Sequence, residues 1–230
     1  MHSGDEMTVR DDRHLHTVVL SRRRRLAPGT LELHFVRPEG FTFKPGQKIT
    51  LVDKDLRRDY SLVNAPLESD LSICVRLVPG GKLTPVLDRA ECGKNFLISP
   101  PFGFFLFQSA HRRAVFVATG TGVAPFVAYV RSGVRAFHLL HGVSSERHLY
   151  YADELRNAAD AYTPCISGMR SASPGADGAH AGRVTDYLQN CLPSGAYDFY
   201  LCGRGDMVRD ATRIIDRKYS DSRVFTEVFY

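Results

Sequence analysis

The chain has 230 residues, of which 43% are hydrophobic and 24% are charged, and its formal net charge is +5. These values are typical of a soluble globular protein with room for two domains of about 110 residues, each able to bury a core. No apolar run approaches the roughly 18 residues of a membrane-spanning helix, and residues 1–14 are polar where a signal peptide has an apolar centre. We therefore expect a cytoplasmic protein that does not insert into a membrane.

The cysteines and the basic residues narrow the function classes further. The five cysteines are an odd number and form no CxxC or Cx4C pair, which argues against disulfides, structural zinc and an iron–sulfur cluster. We predict no metal ligands. The positive charge favours an acidic or phosphorylated partner, but no nucleic-acid-binding signature accompanies it, so nucleic acid is not expected. The most basic run, Arg22–Arg25, is predicted to lie on a solvated hairpin face.

Short strands and turns fill the first half of the chain. Leu31, Leu33 and Phe35 alternate with polar residues, as in a strand with one buried face. The same reasoning predicts strands at 47–52, 58–64, 71–77 and 95–99, with one helix from Lys82 to about Arg89. Several short strands at this spacing indicate a small antiparallel β-barrel.

Strands and helices alternate after about Arg113. Strands are predicted at 115–118, 136–141, 162–167, 197–202 and 223–228. Apolar residues with a period near 3.6 predict helices around 184–191 and 207–215. This order indicates an α/β doubly wound parallel sheet. The boundary is placed within 108–113, which gives domains of residues 8–110 and 111–230, and residues 168–181 are predicted to form a mobile loop.

The segment 114–133 is the most informative part of the second half. Its apolar run, residues 115–118, suits a strand covered on both faces. Gly120 and Gly122 allow a tight turn, and Pro125 suits the first turn of a helix. Such a turn offers N–H groups to a dinucleotide pyrophosphate, although Pro125 stands where a GxGxxG motif has its third glycine. An ordinary strand-to-helix connection is the alternative.

Five short motifs, in this order, resemble those of the ferredoxin–NADP(+) reductase family. Each is weak alone, and their order and spacing through most of the chain carry the resemblance. They are the RxYS-like segment 57–64, the flavin-phosphate-like segment 80–85, the interdomain segment 101–105, the CGxxxM sequence 202–207 and the acidic and aromatic terminus 225–230.

The resemblance implies a flavin site in the first domain. Arg58, with Asp59 beside it, would bind the flavin pyrophosphate through its planar guanidinium. Tyr60 would lie against the isoalloxazine and Ser61 would reach toward flavin N5, although neighbouring strand residues point to opposite faces unless the strand bends. Backbone N–H groups and a hydroxyl around residues 81–84 would bind the same phosphates. The further predicted flavin contacts are Val75, Arg76, Gly81, Lys82, Leu83 and Thr84.

The resemblance also implies a nicotinamide site in the second domain. Cys202 ends an apolar strand at the sheet edge where open α/β folds bind ligands, so its thiol is predicted to pack against the nicotinamide. A buried structural thiol is the competing interpretation. The remaining predicted contacts in these two turns are Gly120, Thr121, Gly122, Gly203 and Met207, with Thr121 also beside the flavin.

The carboxyl-terminal residues are predicted to complete the active site. Glu227 lies in an otherwise apolar strand, so it is either solvated at the sheet's end or part of the site. By resemblance it would relay a proton or pair with Ser61, which makes Ser61, Cys202 and Glu227 the predicted catalytic residues. Phe229 or Tyr230 would cover the flavin, and the choice between them stays open.

The adenosine end of the nucleotide is predicted near residues 141–147. Ser144, Ser145 and Arg147 suit a 2′-phosphate, whereas Glu146 suits a free 2′-hydroxyl. Further contacts in this region are predicted at Ser167, Arg170 and Arg183. We favour NADPH over NADH.

The function implied by the resemblance is that of an FAD-dependent NAD(P)H reductase. Hydride would pass from the nucleotide to flavin N5, and electrons would leave singly to a separate ferredoxin or flavodoxin, both usually acidic. A monomer is expected. The alternatives are a reductase of free flavins and a non-catalytic nucleotide-binding or electron-relay subunit of a larger complex. The carrier and the direction of electron flow stay open.

Overall fold

The computed structural model describes residues 14–108, 112–169 and 178–229, which form two six-stranded sheets. The first sheet belongs to the amino-terminal half and ends at Ile98, and the second begins at Arg113. The elements of the first half are β1 (His16–Ala27), β2 (Thr30–Val36), β3 (Lys48–Asp53), β4 (Leu56–Ser61), β5 (Asp70–Arg76), α1 (Thr84–Arg89) and β6 (Asn95–Ile98).

The first sheet is antiparallel and closes on itself as the predicted barrel. Its strand order is β4-β3-β6-β1-β2-β5, and a bridge between Leu62 and Ile73 joins the two outer strands. Inward-facing side chains such as Leu20, Phe35 and Ile49 are fully buried in one cluster. Closure leaves the barrel few unpaired edges and fixes the end of β4 on its wall.

The second sheet is parallel, with strand order β10-β9-β8-β7-β11-β12. Its elements are β7 (Arg113–Thr119), α2 (Ala124–Arg131), β8 (Phe137–Val143), α3 (Ala152–Ala158), β9 (Ala161–Ile166), β10 (His180–Ala181), α4 (Val184–Asn190), β11 (Tyr197–Arg204), α5 (Gly205–Lys218) and β12 (Arg223–Phe229).

Both faces of the parallel sheet are covered, as its sequence indicates. Phe116 of β7 packs with α2 and α3, whereas its neighbour Val117 packs with α4 and α5 on the other face. Successive strand residues point to opposite faces, so an uninterrupted apolar run is what a doubly covered strand requires. The predicted α/β doubly wound fold is confirmed.

One buried cluster joins the barrel to the parallel sheet. Val63 and Cys74 of the barrel and Phe105 of the connecting segment belong to the same core as Phe116 and Cys202. Since the domains share one packed core, the end of β4 and the carboxyl edge of the parallel sheet are held in a fixed relation.

Three local features differ from the expectations. The sequence prediction omitted α3 and the two-residue strand β10, because α3 contributes only Leu155 and Ala158 to the core and β10 is too short to show a period. The run Arg22–Arg25 does lie on the β1–β2 hairpin, but Arg24 pairs with Glu32 at 2.8 Å and is not simply solvated.

Within the described ranges, no helix combines the length and apolar character needed to span a membrane.

Candidate active site

Two glycine turns meet at the carboxyl edge of the parallel sheet. A Cβ on Gly122 would lie 2.3 Å from the carbonyl oxygen of Cys202, and a Cβ on Gly203 would lie 2.1 Å from Thr119 Oγ1. The Arg204 N–H donates to the same Thr119 Oγ1 at 3.1 Å. Only glycine permits this close approach, so the turns after β7 and β11 interlock through their backbones.

The first of these turns leads into α2. Gly120–Val123 form a single 3-10 turn, Thr121 is half-buried within it, and Pro125 lies in the first turn of the helix. Backbone N–H groups at such a start favour an anion. The local geometry that the sequence predicts for a dinucleotide phosphate is therefore present.

Cys202 lies at the end of β11 with its side chain fully buried between the domains. Burial raises the pKa of its thiol well above the usual range, and the negative charge of Glu227 raises it further. A thiol that stays protonated is a poor nucleophile, so Cys202 can contribute shape and packing and not covalent chemistry.

Glu227 is directly beside Cys202 in the sheet and pairs with a lysine from the barrel. Lys48 Nζ donates to Glu227 Oε1 at 2.6 Å, and the two side chains are 20% and 12% exposed. Glu227 thus pairs with Lys48, and its predicted role as a proton relay or as a partner of Ser61 stays a prediction. Sequence reasoning missed Lys48, which follows a Pro-Gly-Gln turn and resembles an ordinary exposed residue at a strand start.

Ser61 is the one member of the predicted RxYS motif that faces this ion pair. It lies opposite Lys48 in the β3–β4 register, whereas Tyr60 lies opposite Ile49 on the side of the barrel core. Ser61 is buried, and its Oγ has no hydrogen-bond partner in the described part of the chain. An unpaired buried hydroxyl is uncommon and marks a position where a ligand atom would complete the hydrogen bonding.

The other residues of this motif differ in their surroundings along β4. Arg58 is exposed, and its Nη1 donates to the Arg57 carbonyl at 2.7 Å, while Asp59 accepts from Thr50 Oγ1 at 2.7 Å. Burial raises the pKa of Tyr60 to about 12, so this tyrosine is a neutral group at physiological pH. The motif thus offers a guanidinium, a neutral aromatic ring and a free hydroxyl along one strand.

The predicted phosphate segment lies just before α1. Thr84 Oγ1 makes weak hydrogen bonds of 3.3 Å with the backbone of Val78, and Gly81 N donates to the Val78 carbonyl at 3.0 Å. Lys82 is exposed. The side chains of Leu83 and Val75 are buried in the barrel core, so these two residues present only their backbones to a ligand, whereas Arg76 is exposed at the end of β5.

The residues predicted for the adenosine end lie on neighbouring loops. Ser145 Oγ and His148 Nδ1 are 2.9 Å apart, and Ser144 and Arg147 are exposed in the same loop after β8. A Cβ on Gly168 would lie 2.5 Å from the Ser144 carbonyl oxygen, so the loop after β9 touches this loop. His148 was not predicted.

The remaining predicted residues lie in different places, two of them outside the described ranges. Ser167 follows β9, and its Oγ donates to the Val143 carbonyl at 3.4 Å beside the loop after β8, whereas Arg183 precedes α4, where its N–H donates to Asp186. The side chain of Met207, in the first turn of α5, is buried between α5 and the far face of the sheet. Phe229 packs against the interdomain core, whereas Arg170 and Tyr230 lie outside the described residues.

Comparison with known proteins agrees with this architecture. Residues 116–213 match the family description "Oxidoreductase NAD-binding domain". The chain is 29% identical over 216 residues to the toluate 1,2-dioxygenase electron transfer component of Pseudomonas putida, covering 87% of this chain and 63% of that protein. It is 30% identical over 231 residues to the xylene/toluene monooxygenase electron transfer component of Pseudomonas putida, covering 93% and 65%. The chain therefore spans less than two thirds of the length of these relatives.

A solved structure shares the whole fold. A ferredoxin NADP+ reductase from Neisseria gonorrhoeae, solved with bound FAD and NADP, superposes with a TM-score of 0.82 at 20% identity and covers 95% of this chain and 100% of its own. The fold and the site thus define a two-domain protein in which a barrel precedes a dinucleotide-type sheet. The sequence matches add an oxidoreductase NAD-binding domain, and together they bear out the resemblance to the ferredoxin–NADP(+) reductase family.

Proposed function

We propose that this chain is an FAD-dependent reductase that passes electrons between NAD(P)H and a separate acidic carrier, a ferredoxin or a flavodoxin. One observation carries the proposal: Lys48, which lies opposite Ser61 of the barrel in the β3–β4 register, pairs through its ammonium with Glu227, and Glu227 lies beside Cys202 at the sheet's carboxyl edge. A flavin held by the barrel and a nicotinamide held by the sheet would meet at this point, which is the geometry that hydride transfer requires.

The residues present fit an FAD molecule. The Ser61 hydroxyl has no hydrogen-bond partner within the described residues, and Arg58 and Lys82 offer exposed cations for a pyrophosphate. The flavin, when bound, supplies the ability to accept a hydride and release single electrons. The protein's own contribution is to bind, orient and exclude water, because its buried thiol and neutral Tyr60 take no covalent part.

The nucleotide is proposed to bind across the two interlocked turns. The Gly120–Val123 turn would receive the phosphates, and the missing side chains of Gly122 and Gly203 allow the turns to approach each other. Ser144, Ser145 and Arg147 support NADPH as the preferred donor. The cytoplasmic location and the monomeric state predicted from the sequence are parts of the same proposal.

The Arg58→Ala substitution tests the flavin site. We expect it to lower the FAD retained after purification about tenfold, since an arginine hydrogen bond to a charged phosphate contributes roughly 1.5 kcal/mol. Arg213→Ala is the matched control, because Arg213 is an exposed arginine on α5 that pairs only with Asp210 among the described residues. Equal flavin content in the two variants would refute the pyrophosphate role of Arg58.

The acceptor is tested separately from the flavin. NADPH oxidation is followed with ferredoxin, with flavodoxin or with excess free FMN as the acceptor. The proposal predicts faster turnover with one of the two protein carriers than with FMN, and a rate that falls as salt screens the attraction between opposite charges. Turnover with FMN alone would favour the reductase of free flavins.

A further inference from the structure

Lys48 occupies the point where three segments of the candidate active site converge. It begins β3, lies opposite Ser61 in the β3–β4 register, and pairs with Phe102 through two backbone hydrogen bonds of 2.9 Å. Phe102 belongs to the segment that leads from the barrel to the parallel sheet. The backbone of Lys48 is thus fixed on both sides before its side chain is considered.

The side chain of Lys48 is also held on three sides. Its ammonium lies 5.3 Å from the centre of the Phe102 ring and 2.6 Å from Glu227 Oε1. Its stem runs past Gly103, where an added Cβ would lie 3.8 Å from Lys48 Cγ. A long, flexible side chain in this environment has lost most of its rotamer freedom, so its ammonium defines one position for a carboxylate.

Glu227 depends on this lysine for its position. It lies on β12, the last strand at the sheet's open edge, and only 12% of its side chain is exposed. A carboxylate that loses its cation in such a place rotates toward water, because an unpaired charge is costly to keep buried. β12 would then present Glu227 away from Cys202 and from the barrel.

We propose that Lys48 is a positioning residue, which holds the Glu227 carboxylate beside Cys202 and through that carboxylate sets the rate at which NAD(P)H reduces the flavin. The inference rests on the proposed function. It assigns Lys48 no contact with the reacting atoms. Its effect therefore requires Glu227 and disappears when the carboxylate is absent.

Lys94 provides a matched control inside the same barrel. Its ammonium pairs with Asp53 at 3.0 Å and lies 4.7 Å from the centre of the Phe96 ring, so the chemical environment is that of Lys48. The Lys94 pair, however, joins two parts of the barrel and does not reach the parallel sheet. Lys94→Met thus removes an equivalent ion pair without moving Glu227.

The experiment is a double-mutant cycle on the FAD-loaded protein. Lys48→Met, Glu227→Gln and the double variant are mixed anaerobically with NADPH, and the limiting rate of flavin bleaching and the half-saturating NADPH concentration are measured. We expect Lys48→Met to lower the limiting rate about tenfold, with half-saturation changed less than twofold, because misplacement of a positioned group affects the chemical step. Lys48→Arg restores most of the rate, and Lys94→Met leaves it unchanged.

The double variant decides how Lys48 acts. If Lys48 works through Glu227, the double variant reduces its flavin at the rate of Glu227→Gln alone, and the two losses do not multiply. Multiplied losses, or an unchanged rate in Lys48→Met, would overturn the proposal. Loss of bound FAD in Lys48→Met, measured as flavin per protein, would also overturn it, because the lysine would then retain the flavin.

A second readout needs no bound flavin. Urea unfolding of the wild type, Lys48→Met, Glu227→Gln and the double variant, all as apoproteins, tests the ion pair itself. The urea midpoint of the double variant should equal that of either single variant. If the two single-variant shifts add in the double variant, the ion pair is contradicted. If neither nucleotide bleaches the wild-type flavin, the proposed function fails. A wild-type protein that is bleached normally, with an equally fast Lys48→Met variant, refutes this inference alone.

Discussion

Two glutamates lie where the barrel meets the parallel sheet, Glu32 buried and Glu227 half-buried, and their surroundings differ. Glu32, on β2, receives hydrogen bonds from Arg24, His34 and Tyr151, the last from the helical half of the second domain at 3.0 Å. Glu227, on β12, has one charged partner within the described residues, Lys48. The same interface therefore contains one carboxylate that accepts hydrogen bonds from three side chains and one that has a single charged partner among the described residues.

The pKa of Glu32 shows what the additional partners do. Burial alone would raise it, but the hydrogen bond from His34 and the positive charge of Arg24 lower the pKa of Glu32 to about 2. The Glu32 cluster is thus a permanent connection between the domains. Among the described residues, the Lys48–Glu227 pair has no second charged partner for its carboxylate, so the two glutamates differ in how many groups hold them.

The largest expected effect is on stability at Glu32. Glu32→Gln removes a buried charge that Arg24, His34 and Tyr151 contact, and breaking such a buried network costs about 3 kcal/mol. The free energy of unfolding, measured in urea, should fall by that amount. Glu91→Gln, at an exposed position, is the control and should change it by less than about 0.5 kcal/mol.

Glu227→Gln should show the reverse pattern. We expect the limiting rate of flavin reduction to fall about 100-fold, because under the proposed function this carboxylate lies beside the reacting groups, where a small misplacement costs on this scale. The free energy of unfolding should change by less than about 1 kcal/mol, since the ion pair is partly open to solvent. A stability loss as large as that of Glu32→Gln, with an unchanged rate, would remove the distinction between the two glutamates.

The pH dependence of stability provides a smaller and sharper test. The pKa of Glu32 is lowered from 4.5 to about 2 on folding, so its stabilising contribution is complete above about pH 5 and is lost as the pH falls toward 2. The wild-type protein should therefore lose stability more steeply than Glu32→Gln below pH 5. The free energy of unfolding of the two proteins is measured in urea at each pH. Parallel curves of this free energy against pH would contradict the claim that Glu32 is ionised in the folded protein.

The smallest effect concerns the thiols beside these carboxylates. Cys74 and Cys202 are buried, and burial raises the pKa of each thiol, that of Cys74 to about 12. At pH 8 a thiol reagent should therefore label the two exposed cysteines, Cys92 and Cys191, and all five after denaturation. Rapid labelling of Cys202, detected by peptide mass spectrometry, would show that the interface opens in solution.

The two domains could be predicted from the sequence because their signals are local. Residues 115–118 indicate a strand covered on both faces, and the turn glycines mark its end. For β2, the alternation of apolar and polar residues predicted the strand. It did not show which groups contact Glu32 and His34 on the polar side of that strand. Their partners come from distant parts of the chain, and no periodicity records such contacts.

The candidate site divides in the same way. Ser61, Cys202 and Glu227 were predicted, and the structure brings them to one interface. Lys48 was missed because its partner is 179 residues away and its own neighbours carry no motif. The order of the motifs also does not show in which direction a side chain points. It therefore could not predict that the side chain of Met207 lies on the far face of the sheet.

The most direct test of the account is an anaerobic titration of the FAD-loaded protein with NADPH and, separately, with NADH, followed by visible absorbance. We predict a yellow protein whose flavin absorbance is bleached by the nucleotide, because the interface joins a flavin site to a nucleotide site. NADPH should act at a lower concentration than NADH, because Ser144, Ser145 and Arg147 suit a 2′-phosphate. A preparation that stays colourless after FAD is added and excess is removed, or a flavin that neither nucleotide bleaches, would contradict the account.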